Sequence, residues 1–178
     1  NLMGSFMVPA PSPQAREAAL DRLEAVRSDY DEILQTTDRS AQFAVLQAKG
    51  LGATDAQKTQ LLDQGRTLLT TVGNQSNLIL DPDLDSYYVM SLALLRFPEL
   101  LQILHDTRKF MQAQGPRVTG QAQMAQLLTL VGRLDAVLLG IESDYGQAGM
   151  AGSPQLKAAL DHSRKALLAQ SRSFGVDV

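Results

Sequence analysis

The chain contains no cysteine, which removes disulfides, thiolate zinc sites and thiol nucleophiles together and leaves the redox compartment open. Histidine is almost as scarce. His105 and His162 are preceded three residues earlier by Gln102 and Ala159, so the Glu-x-x-His pairs that build di-iron helical bundles are missing. No histidine stands beside a serine in a recognisable motif, and neither a G-x-S-x-G elbow nor a phosphate-cradling G-x-x-x-x-G-K occurs. Each histidine reads as a surface or rim residue, and no cofactor is implied.

A basic footprint is also lacking. The formal net charge is −3, and the 16 lysines and arginines are spread along the chain, which argues against nucleic-acid binding. The most basic piece, Ser153 to Val178, sets Lys157, Arg164, Lys165 and Arg172 against Asp161 and Asp177 and reads as a solvated helix face. No apolar run approaches the ~18 to 20 residues that cross a bilayer; the best are "SYYVMSLALL" and "AVLLGI". Asn1 does not begin a recognisable signal peptide. Finally, no alternating strand pattern occurs.

What the sequence does have is a 3.6-residue hydrophobic period nearly everywhere, in 178 residues of which 44% are hydrophobic and 20% charged, enough for one ordinary globular domain with a core. The fold class expected is all-α: an elongated antiparallel bundle of four-helix type with an additional helix. Residues 1–12 read as a leader or partly ordered segment, and 13–178 as a single domain.

Ser12 and Pro13 open the first helix, which carries Leu20, Leu23, Val26, Tyr30, Ile33, Leu34, Phe43 and Leu46 to stops at Gly50 and Gly52; "TTDRS", Thr36 to Ser40, is a softer point that kinks or divides it. Thr54 or Asp55 caps the second, which runs through Leu61, Leu68, Val72 and Leu80. The third contains Pro98, which removes a backbone hydrogen bond and crowds the carbonyl four residues back, so a kink or restart is expected there. The fourth runs from near Thr119 to "GQAGMAGSP", and the fifth opens at Ser153 and Pro154. Gly65, Gly73, Gly132 and Gly140 inside these helices mark either close helix approach or room for a ligand, since each costs roughly 1 kcal/mol against alanine.

Between the second and third helices lies "SNLILDPDLDSYYVM", Ser76 to Met90. Asp81, Asp83 and Asp85 copy the opening of a calcium loop, but Ser86 replaces the glycine of its sharp turn and Leu92 its closing glutamate. A glycosidase-like carboxylate pair needs a sugar cleft, which a narrow bundle rarely offers. A helix-to-helix corner accounts for the aspartates: Pro82 drives Asp81 out of helical backbone, and Asp83 or Asp85 caps the next helix. It accounts less well for the surplus of polar groups around them: Asn74, Ser76 and Asn77 before, Tyr87 and Tyr88 after.

The run "VGNQSNLILDPDLDSYYVMSLALLRFPELLQILHDTR", Val72 to Arg108, resembles a segment of the extracytoplasmic sensor regions of bacterial transmembrane receptors, both sensor histidine kinases and methyl-accepting chemoreceptors. There a similar "SNLxLDPDLDSYYLM" precedes an apolar helix with a Leu-Pro or related step and then an arginine. Phe97 and Pro98 stand at that step and Arg108 at the arginine, whereas Ser91 stands where an acidic residue is expected. The resemblance covers about a fifth of the chain. It implies a helical-bundle sensor domain, periplasmic, between two transmembrane helices of an inner-membrane protein. It also implies a small-molecule ligand or a periplasmic partner protein, a homodimeric parent receptor with a histidine kinase favoured over a chemoreceptor, and no chemistry in the domain itself.

Such a domain crosses its long axis an even number of times, yet five helices are expected, so either a helix precedes Asn1 or one of the five is too short for a full pass. The residues expected to line or support a binding site are Asn74, Asn77, Asp83, Asp85, Tyr87, Tyr88 and Arg96, the carboxylates attracting a cationic or hydroxyl-bearing ligand or fixing the tyrosines. Two rival readings are a helical interaction module without a small ligand and an enzyme with a metal at the aspartate corner.

Overall fold

Helical periodicity becomes helix throughout the computed structural model, which describes residues 12–48, 54–80, 82–114 and 120–173; every regular element among them is helical. The elements are α1 (Pro13–Tyr30), α2 (Thr37–Ala48), α3 (Asp55–Gln75), a 3-10 turn (Leu78–Leu80), α4 (Leu84–Ser91), a π-helical turn (Leu92–Arg96), α5 (Phe97–Gln114), α6 (Gln121–Ala151) and α7 (Pro154–Ser173). Two compact units divide between Leu80 and Asp81.

In the first unit α1 packs on α2 and α2 on α3. The first predicted helix is divided, just ahead of "TTDRS". Gln35 takes positive φ, 52°; its N–H donates to the carbonyl of Glu32 at 3.2 Å while that of Thr36 donates to Asp31 at 2.9 Å. This paired closure satisfies the Asp31 and Glu32 carbonyls just past the end of α1 and turns the chain back. Polar side chains lock the turn. The Asp31 carboxylate accepts from the Thr36 hydroxyl at 2.8 Å, from Arg27 Nε at 3.3 Å and from the Ser40 hydroxyl. Thr36 and Ser40 are each only 2% exposed, so the tightest packing here is polar, and every donor has an acceptor, as burial requires.

Helix α3 starts as predicted, with Thr54 as cap in a reciprocal capping box with Gln57. An added Cβ on Gly65 would stand 3.0 Å from the Phe43 ring, so this glycine admits close approach of α2; Gly73 is buried. The expected stops at Gly50 and Gly52 lie outside the described residues.

In the second unit α6 is the central element, packed by α4, the π turn, α5 and α7. Its core is Leu92, Leu100, Ile103, Val137, Ile141 and Tyr145, with Phe97, Leu104, Leu134, Leu138, Leu160 and Leu167 against them; each fully buried large side chain contributes roughly 1.5–3 kcal/mol. Helix α6 continues past the stop expected at Gly146 to Ala151, because Ala148 is fully buried and anchors the extra turn. The chain breaks instead at Gly152, and α7 opens on Pro154 with the Ser153 hydroxyl accepting from the N–H of Leu156 at 3.2 Å. By length and composition alone, α6 is apolar enough to cross a membrane, although Arg133 and Asp135 interrupt its apolar runs.

Candidate functional site

The second unit carries a buried charged cluster that the sequence reading found only in part. Asp144 lies on α6 in register with the core positions Val137, Ile141 and Ala148 and is 5% exposed. Its Oδ2 accepts from the Ser91 hydroxyl at 2.7 Å and from Arg96 Nε at 3.0 Å. Ser91 ends α4 and Arg96 ends the π turn, so one oxygen ties both to α6.

The backbone makes this convergence possible. Residues five apart on an α-helix point about 140° away from one another, at ~100° per residue. In the π turn the N–H of Phe97 donates to the carbonyl of Leu92, five residues back, so residues five apart come nearly into line. Pro98 follows directly. It has no N–H to give Leu94, and its ring crowds that carbonyl in a regular helix; the wider turn relieves both.

Glycine supplies the space. A Cβ on Gly140 would lie 2.7 Å from Arg96 Cζ and 2.8 Å from Nη1, so the guanidinium rests directly against the α6 backbone. Gly132, two turns earlier, has nothing within 4 Å of that position. The glycine question raised by the sequence therefore has different answers at different positions. Nearby, the Tyr145 and Ser163 hydroxyls are 2.7 Å apart, joining α6 to α7, and the Tyr145 ring meets Phe97 edge-on at 6.4 Å.

The other predicted site residues lie elsewhere. Asn77 takes positive φ, 56°, and its N–H donates to the Asn74 carbonyl at 3.4 Å. Asparagine is favoured over other non-glycine residues in that conformation, so Asn77 has a conformational job in ending α3. Asn74 and Asn77 are both exposed and belong to the first unit; the remaining five belong to the second. Asp83 occupies the N-cap of α4 in extended backbone, and its carbonyl accepts from the Tyr87 N–H and the Ser86 hydroxyl. The Asp85 carboxylate accepts from the Ser86 N–H at 2.8 Å. Tyr87 and Tyr88 contact each other edge-on, ring centroids 5.3 Å apart. Asp81 lies outside the described residues.

Arg96 thus pairs with Asp144 and not with the aspartates of the quoted run. Ser91 and Asp144 are the members that residue-by-residue reading missed. The available signal was a carboxylate in the core register of an apolar helix. Among the described residues no group of three or more His, Asp or Glu is placed to hold a metal ion. No family model, curated protein or solved structure matches the chain.

Proposed function

We propose that this chain is the ligand-sensing extracytoplasmic domain of a transmembrane receptor, a sensor histidine kinase in preference to a chemoreceptor. The observation that carries the reading is the resemblance of Val72 to Arg108 to such sensor regions. In this reading the domain is periplasmic, its helices form an elongated antiparallel bundle with Pro98 bending the third predicted helix, and the parent receptor is a membrane-anchored homodimer. Of the residues expected at the site, Asp83, Asp85, Tyr87, Tyr88 and Arg96 share the second unit and line or support it, and the domain does no chemistry.

Signalling proceeds by helix displacement. A ligand shifts such an equilibrium only by its differential affinity for two arrangements, and the clamp of α4 and the π turn onto α6 by Ser91, Arg96 and Asp144 is a contact through which displacement of one helix reaches the next.

The test has two arms. A panel of small metabolites is screened by thermal shift and calorimetry against the domain and its Asp83→Ala and Tyr88→Phe variants; variants that lose stability but keep every ligand affinity sink the pocket assignment. The domain is also fused in place of the sensor region of a membrane histidine kinase. Ligand-dependent autophosphorylation is the expected outcome, and an output indifferent to every binder sinks the receptor reading.

A second reading, a helical interaction module, draws on the exposed apolar side chains of α6, among them Leu128 and Leu139, each 64% exposed. It expects partner-dependent assembly and no stabilisation by small molecules.

A further inference from the structure

Arginine side chains at protein surfaces usually sample many rotamers, and an anion that binds one must first hold it still. Arg96 is already held. Its Nε donates to Asp144, a carboxylate that is itself buried and fixed by the Ser91 hydroxyl; its guanidinium lies against Gly140, where no side chain competes for the space. Fixing by Nε commits one edge of the planar group and leaves the end-on edge, the two Nη amino groups, uncommitted. Among the described residues Nε–Asp144 is the one hydrogen bond that the Arg96 side chain makes, and that side chain remains 35% exposed. The result is a pre-oriented pair of parallel N–H donors on a side chain that stays partly exposed, the geometry that receives a carboxylate in bidentate fashion.

We propose that Arg96, oriented by Asp144 and seated on Gly140, is the receptor for the carboxylate of a small organic acid. The proposal rests on the sensor reading above and names the ligand class, replacing the cationic ligand that the aspartate run alone suggests. A carboxylate fits better than a phosphate on charge: Asp144 already neutralises one unit of the arginine's charge, so a monoanion leaves less excess negative charge at the site than a dianion. Arg133, on α6 itself, has a partner of its own in Asp106 at 3.7 Å.

The test uses the folded domain with acetate, propionate and inorganic phosphate, at ionic strength held constant with chloride. Titrations are followed by calorimetry and by the nitrogen-15 resonances of the arginine side chains. The expected result is saturable binding of a carboxylate that shifts the Arg96 Nε and Nη signals, weakened at least tenfold in Arg96→Gln and in Gly140→Ala, which displaces the guanidinium while keeping its charge. Arg96→Lys retains charge without the fork and is expected to bind as weakly as Arg96→Gln. Carboxylate affinity unchanged in folded Arg96→Gln or Gly140→Ala overturns the proposal. So does the absence of any Arg96 shift with either carboxylate, or a response to phosphate alone. Binding of this kind in a domain whose kinase fusion stays silent removes the receptor reading and leaves the carboxylate site standing.

Discussion

Ser91 and Arg96 donate to the same oxygen of Asp144, at 2.7 and 3.0 Å, across a π-helical turn that brings the two side chains toward one face. The three side chains therefore form one unit whose members are not independent. Asp144→Ala orphans the Ser91 hydroxyl, which is buried, and frees Arg96 to reach water; the expected loss is about 2 kcal/mol. Ser91→Ala costs about 1 kcal/mol, and the double variant costs less than the sum by more than ~0.5 kcal/mol. Urea denaturation of the four proteins measures the cycle, and strict additivity refutes the shared contact.

Two glycines of α6 separate the cost of helix propensity from that of crowding. Gly132→Ala adds a methyl group to open space and is expected to gain about 1 kcal/mol, or roughly 2–4 °C in Tm for a chain of this size. Gly140→Ala receives the same propensity gain but drives its methyl group into the guanidinium, so its Tm is expected to fall below that of Gly132→Ala. Differential scanning calorimetry of the pair decides; equal gains deny the close contact.

At the α1–α2 turn, Gln35 holds a φ of 52°, a conformation that costs an ordinary residue roughly 1–2 kcal/mol. Gln35→Gly relieves that cost and is expected to be neutral or slightly stabilising, whereas the β-branched Gln35→Val is destabilising. Reversal of that order in chemical denaturation contradicts the left-handed turn.

Asp31 is the acceptor around which the same turn is built. Asp31→Ala leaves the Thr36 hydroxyl buried without its acceptor and removes one of the two counter-ions of Arg27, Glu24 remaining at 2.6 Å, with an expected loss of about 2 kcal/mol. Hydrogen exchange of the Thr36 and Ser40 amides should accelerate by at least tenfold, and unchanged protection counts against the polar lock.

Local chemistry was readable and distant pairing was not. The caps at Thr54 and Ser153 were visible because a cap is decided within about one helical turn by residues adjacent in the chain. The all-helical class followed from a period repeated over many residues. Asp144 escaped because the residues that give it meaning stand 48 and 53 positions away, and no local rule reaches that far. The π turn escaped for a different reason: a reading that assumes 3.6 residues per turn has no place for the extra one, and Pro98 was its sole local clue. Gly146 misled in the opposite direction, as burial of Ala148 outweighed the helix-breaking tendency of its neighbours.

The π turn also bears on how the chain tolerates changes in its length. A regular helix that loses one residue rotates everything downstream by about 100° and turns its core face to solvent. Leu92–Arg96 already holds one residue more than a regular turn needs. Removing Ala93 or Leu95, both exposed, would bring the backbone back to ordinary helical winding while Leu100 and Ile103 keep facing α6. The shortened chain would place Ser91 and Arg96 four positions apart on one helix face, still aimed at Asp144. A chain one residue shorter here is thus expected to keep the same core, but it regains the crowding that Pro98 causes in a regular helix, so the shortening is tolerated best where that proline is replaced as well.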